Sequence, residues 1–392
     1  MKVLSEAGLG DELEELDRAW SSPETFAVIP AKSPISVATV NAWLESLPAP
    51  FVEGGFALLT SGSTGRPKLV VGMRARAELL AARIHEAQVA AAVSTAVLVL
   101  PLSYSYAFVN QWVWARAHRR KLIPTRGMAD PERLVETLSS VRDAMLCLVG
   151  GHAPLLELLG SRVFEGITRL NFAGGPFPAS RLGELTRRFP NARFFDNYGC
   201  TEAMPRLTVR EMTCDSPLAV LGDTLPGVEL CLGENDELLF RSETSAVGFV
   251  DELGFHTLAD GSFISTGDLA RRTSTGRIEL VGRAGEVFKR YGEKVSLPLL
   301  AESVRAAWSR GMAFYRGADR AGESGAVLVL APRPTDAEVR AVLREIRMRH
   351  SRPHWPLRIE SVEALPTLAN GKIDVRTLES ASEKNVHWDQ RL

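Results

Sequence analysis

Between residues 54 and 200 the chain alternates short apolar runs with longer amphipathic stretches, and this alternation narrows the fold more than any other feature. GGFALLT (54–60) reads as a strand leading into a Gly/Ser/Thr loop, 74–92 as a helix, and AVLVL (96–100) as another strand. DPERLVETLSSV opens with Asp130 at an N-cap and Pro131 in the first turn, where a missing N–H is harmless. AMLCLVG (144–150) is a buried strand followed by a short helix near His152–Leu159. LNFAGG (170–175) and ARFFDNYG (192–199) are strand–loop junctions with a helix from Pro178 to Arg188 between them. Repeated strand–helix units of this kind predict a mainly parallel sheet covered by helices.

Beyond residue 200 the character changes. Residues 217–284 hold short strands broken by Gly, Asp and Thr, the mark of antiparallel structure. From 285 a smaller unit follows, with a hairpin (EVFKRYGEKV), a helix (297–309), two strands (312–316 and 325–331), a helix (335–350) and a Gly-Lys loop. The first fifty residues offer two short helices, 11–20 and 37–47, with polar connectors. The expected fold is therefore α/β. A large domain (1–284) has mainly parallel sheets covered by helices plus a β-rich portion, and a small mobile α+β domain (285–392) follows.

Composition excludes some functions. With 46 basic and 47 acidic side chains the net charge is −1, so neither nucleic acid nor a membrane surface is an expected partner. At 392 residues and 45% apolar the chain can bury a core without staples. Its four cysteines form no C-x-x-C pair, which points to a reducing cytoplasm. Residues 87–115 carry no charge and are long enough to span a bilayer. Gln88, Asn110, Gln111 and Pro101 interrupt them, favouring a buried strand, a turn and a buried helix over a membrane span. The basic run 116–121 reads as a solvated helix end.

The strongest local signal is Thr60-Ser61-Gly62-Ser63-Thr64-Gly65-Arg66-Pro67-Lys68. Small residues after a strand let backbone N–H groups and hydroxyls close around phosphate oxygens, and Lys68 adds charge. The spacing is not that of a Walker A loop, and alone such a segment is more often a plain turn. It does not stand alone. Asn171-Phe172-Ala173-Gly174-Gly175, Asn197-Tyr198-Gly199-Cys200-Thr201-Glu202 and Ser265-Thr266-Gly267-Asp268 follow in order. Then come Gly282-Arg283-Ala284-Gly285, Lys289 to Val295, and Leu365 to Asp374 with Asn370-Gly371-Lys372. Singly, each has an ordinary reading: Tyr198 a core aromatic, Asp268 a turn residue, Glu202 a helix-end charge, Lys372 a surface lysine. In this order they resemble the adenylate-forming superfamily of acyl- and aryl-CoA ligases, peptide-synthetase adenylation domains and luciferases, over about residues 54–380.

The resemblance implies a reaction in which a carboxylate attacks the α-phosphate of ATP, giving an acyl-adenylate and pyrophosphate. Two anions meet, so charge neutralisation and positioning should dominate. It implies that Thr60, Ser61, Gly62, Ser63, Thr64, Gly65 and Lys68 embrace the β- and γ-phosphates, and that Asn197, Tyr198 and Gly199 lie along the nucleotide. Gly174 and Gly175 let the backbone approach adenine, Thr201 binds the α-phosphate, and Glu202 holds Mg²⁺. Asp268 accepts from the ribose hydroxyls with Arg283 nearby. Lys372, on the mobile small domain, bridges the substrate carboxylate and the α-phosphate. Tyr104, Ser105, Tyr106, Ala173 and Gly174 would line the acid pocket.

Three departures from the family stand out. The hinge position is Gly285, where the family usually carries Asp or Lys, so rotation is free but no side chain controls it. After rotation, Lys294 and its neighbours would line the pantetheine tunnel. The gate-like stretch Pro101–Ala107 carries Tyr104 in place of a common histidine, and no aspartate for a substrate ammonium is recognisable after it. That disfavours an amino acid and leans towards an aryl acid. The phosphate loop starts near residue 60, so the N-terminal region is expected to be shortened. The expected function is ATP- and Mg²⁺-dependent adenylation of an aryl or acyl carboxylic acid, then thioester formation with CoA or a phosphopantetheine carrier protein. One alternative keeps adenylation with an amine acceptor or an inorganic acid such as nitrite. Another is a non-catalytic nucleotide-binding or partner protein.

Overall fold

The computed structural model of the chain describes residues 2–9, 13–60, 67–152, 158–175, 177–178, 181–213, 216, 219–367 and 373–390. Two compact units result: residues 1–233 with 238–266, and residues 234–237 with 267–392.

The first unit is built on two sheets. In the seven-stranded sheet Lys121–Pro124, Thr95–Leu98, Ala144–Val149, Ile167–Ala173 and Arg193–Tyr198 lie side by side and parallel. Thr208–Glu211 and Asp223–Thr224 then add antiparallel. The run AMLCLV is buried at every position but its last, as a parallel strand covered on both faces must be. One helix between these strands starts where its cap dictates. Asp130 accepts from the Arg133 N–H ahead of Pro131–Ser140, and Leu134 and Leu138 of that helix pack into the core beside Phe164 and Phe189.

The second sheet of this unit is mixed. Lys2–Ser5, Phe26–Ile29 and Gly55–Thr60 are parallel, whereas Lys68–Met73, Gly248–Asp251 and Gly254–Thr257 continue antiparallel. The expectation of mainly parallel sheets thus holds for the strands between 95 and 198 and not here. Gly55–Thr60 pairs antiparallel with the next described strand, Lys68–Met73, rather than being followed by a helix. The first fifty residues hold the two expected helices, Glu14–Ser21 and Val37–Glu45, and also two strands that the pattern did not reveal. Phe26–Ile29 is only four residues long and wholly buried, too short for its period to be read. Strand Thr95–Leu98 and the buried helical segment 105–117 occupy the uncharged stretch, with a π-helical turn at Phe108–Val113. Among the described residues no helix is long and apolar enough to cross a membrane.

The second unit has the expected hairpin, Val287–Arg290 with Glu293–Ser296. A four-stranded sheet is ordered Gly311–Ala318, Ser324–Ala331, Arg358–Ser361, Asn385–Asp389. Its core gathers Phe314, Leu328, Leu330, Val342 and Ile346. Helix Asp336–Arg349 opens on a capping box in which the Thr335 side chain accepts from the Glu338 N–H and Glu338 reaches back to Thr335.

Burial sets the expected scale of damage. Leu146→Ala removes a side chain only 1% exposed in the central parallel strand and should lower stability by about 2–5 kcal/mol. Thr335→Ala should cost about 1 kcal/mol through the lost cap. Urea unfolding followed by circular dichroism reads both, and equal effects would contradict this ranking.

Candidate active site

Parallel register decides where the site lies. Val149 pairs with Ala173, and Phe172 with Asp196, so three adjacent strands end on one edge of the sheet. Crevices outside the carboxyl ends of such strands are where open α/β sheets bind ligands. At this edge stand Ala173, Gly174 and Gly175 after one strand, and Asn197, Tyr198 and Gly199 at the end of the next. Gly174 has φ +72°, a left-handed conformation suited to glycine. A Cβ on Gly199 would sit 1.7 Å from the Pro205 carbonyl oxygen, so the returning chain admits no side chain there. Tyr198 is half-buried, and its carbonyl accepts from the Leu207 N–H at 2.8 Å.

The turn Thr201–Ala203 carries the next two groups. Lys68, first residue of its strand and opposite Thr60 in the hairpin, places Nζ 2.7 Å from Glu202 Oε1. The two side chains are 18% and 20% exposed. Lys68 also lies over the Phe249 ring, 4.4 Å from its centre. The Glu202 carbonyl accepts from Ala246 N–H at 2.8 Å, pinning the turn to the neighbouring loop. The Ser105 hydroxyl reaches the Thr201 hydroxyl at 3.4 Å. A cation and a carboxylate thus pair in a partly shielded place, where charge is weakly screened, and the residue before the carboxylate, Thr201, meets the Ser105 hydroxyl. Mg²⁺ binds through one or two carboxylates together with phosphate oxygens and water, so Glu202 beside the Thr201 hydroxyl fits it.

Behind this edge lies a buried polar network. Arg206, 1% exposed, donates to Asn110 Oδ1 at 2.5 Å and to Asn197 Oδ1, and stands over the Tyr106 ring. Asn110 Nδ2 donates to the Tyr106 carbonyl at 2.9 Å. Gln88 donates to Asn171 Oδ1 at 2.7 Å, and Asn197 Nδ2 to the same oxygen at 3.3 Å. Burial pulls the Arg206 guanidinium below its ordinary value and pushes the Tyr106 phenol well above its own. Burial likewise raises the Tyr104 phenol, and the negative charge of Glu6 adds to it. The motifs did not single out Arg206, Asn110 or Gln88. A signal existed, since Gln88 and Asn110 are polar interruptions of an otherwise apolar stretch, and buried polar groups need partners.

In the second unit Asp268 and Arg283 face each other across a strand pair, with Arg283 Nε 2.9 Å from Asp268 Oδ1. Gly285 sits in the short turn Ala284–Glu286 with open space where a Cβ would be. Lys294 pairs with Asp236 at 3.0 Å. Ser61, Gly62, Ser63, Thr64, Gly65 and Lys372 lie outside the described residues. The fold therefore brings Lys68, Ser105, Thr201 and Glu202 together in one unit, and Asp268 with Arg283 in the other.

The family model for AMP-binding enzymes matches residues 55–243. Delta-poly-L-ornithine synthetase of Acinetobacter baumannii is 24% identical over 84% of this chain, which spans only 26% of that protein. D-alanine–D-alanyl carrier protein ligase of Bacillus licheniformis is 25% identical over 86% of this chain and 73% of its own length. Among solved structures, o-succinylbenzoate CoA synthetase of Bacillus subtilis, in complex with the acyl-adenylate intermediate OSB-AMP, superposes with a TM-score of 0.73. It is 15% identical and covers 97% of this chain and 88% of that one, a likeness of fold.

The network behind the sheet edge is open to test. Arg206→Met keeps most of the volume but leaves Asn110 Oδ1 buried without its donor and Asn197 Oδ1 with only the long contact from Gln88 Nε2 at 3.5 Å. A loss of about 1–3 kcal/mol per unsatisfied group is expected in urea unfolding. An unchanged midpoint would show that the network carries no structural weight.

Proposed function

Given that residues 55–243 form an AMP-binding enzyme domain, we propose that this chain activates an aryl or acyl carboxylic acid with ATP and passes it to a thiol. The observation that carries this reading is the Lys68–Glu202 pair beside the Thr201 and Ser105 hydroxyls, at the carboxyl edge of the parallel sheet. Without nucleotide the two charges neutralise each other. Triphosphate oxygens would pair with Lys68 in its place, and Glu202 would hold Mg²⁺, which would supply charge neutralisation on the phosphates.

In the first step a carboxylate oxygen of the acid bonds to the α-phosphorus as the bond to pyrophosphate breaks, and pyrophosphate leaves with the electron pair. Thr201 would hold an α-phosphate oxygen, and Thr60 with Ser61 to Gly65 the outer phosphates. Tyr198 would lie against adenine where Gly174 and Gly175 leave room, with Asn197 fixing the strand end behind it. Asp268 and Arg283 would take the ribose, and Lys372 would supply a cation to the carboxylate as it attacks. Tyr104, Ser105, Tyr106 and Ala173 would shape the acid pocket. In the second step the thiol sulfur bonds to the acyl carbon, AMP departs, and the thiol proton is released. CoA or a carrier protein would bring that thiol, with Gly285 as the pivot between the steps. The name of the D-alanine ligase relative supports a carrier protein. We place the reaction in the cytoplasm.

ATP–pyrophosphate exchange, screened over aryl, acyl and inorganic acids, tests the proposal. Exchange dependent on one acid class is expected. Lys68→Ala and Lys372→Ala should each reduce it by about 10²–10³-fold, the effect of deleting one charge-stabilising donor. Nucleotide binding without exchange for any acid would favour a non-catalytic protein. Exchange that needs nitrite and an arylamine, with no role for CoA, would move the acceptor away from a thiol.

A further inference from the structure

The strand Lys2–Ser5 forms one edge of the mixed sheet, parallel to Phe26–Ile29 with Ser5 opposite Ile29. Its end delivers Glu6, first residue of a short turn, to a stretch about a hundred residues further along the chain. Glu6 Oε1 accepts from the Leu102 N–H at 2.7 Å, and Oε2 accepts from the Ser103 hydroxyl at 2.9 Å. Leu102 and Ser103 are 2% and 1% exposed and Glu6 is half-buried, so both bonds are partly shielded from water. Charge-assisted bonds of this kind are roughly twice as strong as neutral ones.

What they hold is the approach to the helical segment 105–117. The Tyr104 N–H bonds the Pro101 carbonyl at 3.1 Å, and the Tyr104 carbonyl accepts from Phe108 N–H at 2.9 Å. One residue on, the Ser105 hydroxyl meets Thr201, which is followed directly by Glu202 and its Lys68 partner. A short relay of contacts therefore runs from Glu6 through 102–105 to the proposed α-phosphate site, all within the first unit.

We propose that Glu6 is a positioning residue that sets the shape of the acid pocket by fixing the turn that aims Tyr104 and Ser105. This rests on the reading that residues 104–106 line that pocket. Both carboxylate oxygens are committed to the turn, so Glu6 acts through it and not by binding substrate ammonium. Burial raises the Glu6 carboxyl above its ordinary value, and the Tyr104 phenol is the titratable group facing it. A carboxylate kept in such a place, where it is disfavoured by desolvation, needs both donors of the turn to remain.

Two measurements on the full chain test this. In hydrogen exchange, Glu6→Ala should speed exchange of amides in 102–108 by tenfold or more while the central parallel strands keep their protection. In acid-dependent ATP–pyrophosphate exchange the same variant should raise KM for the acid about tenfold and KM for ATP by several-fold less, since the turn reaches Thr201 only through the 3.4 Å Ser105 contact. Glu6→Gln, which retains an acceptor for Leu102 and folds without a buried charge, should restore most of the acid KM. Equal rises in both KM values, or faster exchange throughout the unit, would reduce Glu6 to a general structural tie and overturn the proposal. Normal protection at 102–108 in Glu6→Ala would overturn it as well. A wild-type chain that exchanges with no acid defeats the adenylation reading itself, and the pocket role falls with it. Hydrogen exchange then still reports separately whether Glu6 holds the turn.

Discussion

The parallel alignment of Ala144–Val149, Ile167–Ala173 and Arg193–Tyr198 is the constraint on which the rest of the first unit depends. Because the strands run the same way and in register, their loops leave on one edge, and residues distant in sequence become neighbours. Ala173 to Gly175 and Asn197 to Glu202 owe their closeness to that ladder. Backbone hydrogen bonding fixes the ladder, and burial on both faces holds it. Changes there act on the site through geometry.

Two kinds of polar contact work at different depths behind this edge. Arg206, Asn110, Asn197, Asn171 and Gln88 share hydrogen bonds in the interior and tie the helical segment 105–117 to the strand ends. The network is only partly satisfied, because Gln88 Oε1 and Asn171 Nδ2 are buried without a partner, and an unpaired buried group is costly. Lys68 and Glu202 are shallower and oppositely charged. Their pairing limits the cost of keeping two charges partly out of water, and each charge can exchange its partner for phosphate or for a cation.

The N-terminal segment joins this arrangement through apolar packing, with Trp20 against Phe56, Phe108 and Trp112, and through the carboxylate of Glu6. Glu6 spends both oxygens on Leu102 and Ser103, so the edge strand of one sheet shapes the turn after a strand of the other. The two sheets of the first unit are thereby coupled at the turn leading to Tyr104 and Ser105. Ser105 in turn touches Thr201, so the coupling ends among the residues proposed to hold nucleotide.

Much of this was legible in the amino-acid sequence alone. Alternating apolar runs showed four of the five parallel strands from 95 to 198 but not the edge strand Lys121–Pro124, and residue order along the chain showed the resemblance that the AMP-binding enzyme family model also matches over 55–243. Local chemistry was enough there, because a buried parallel strand must be apolar and a helix start needs its cap. The four-residue strands Lys2–Ser5 and Phe26–Ile29 were not legible, being too short to display a period. Nor was the hairpin return of Lys68–Met73, whose direction depends on which neighbour it pairs with. The Lys68–Glu202 pair, the Arg206 network and the reach of Glu6 to Leu102 join residues separated by up to about 130 positions. A sequence specifies residue types and local pattern. Only packing of the sheets determines which distant polar groups share a low-dielectric space and must therefore find one another.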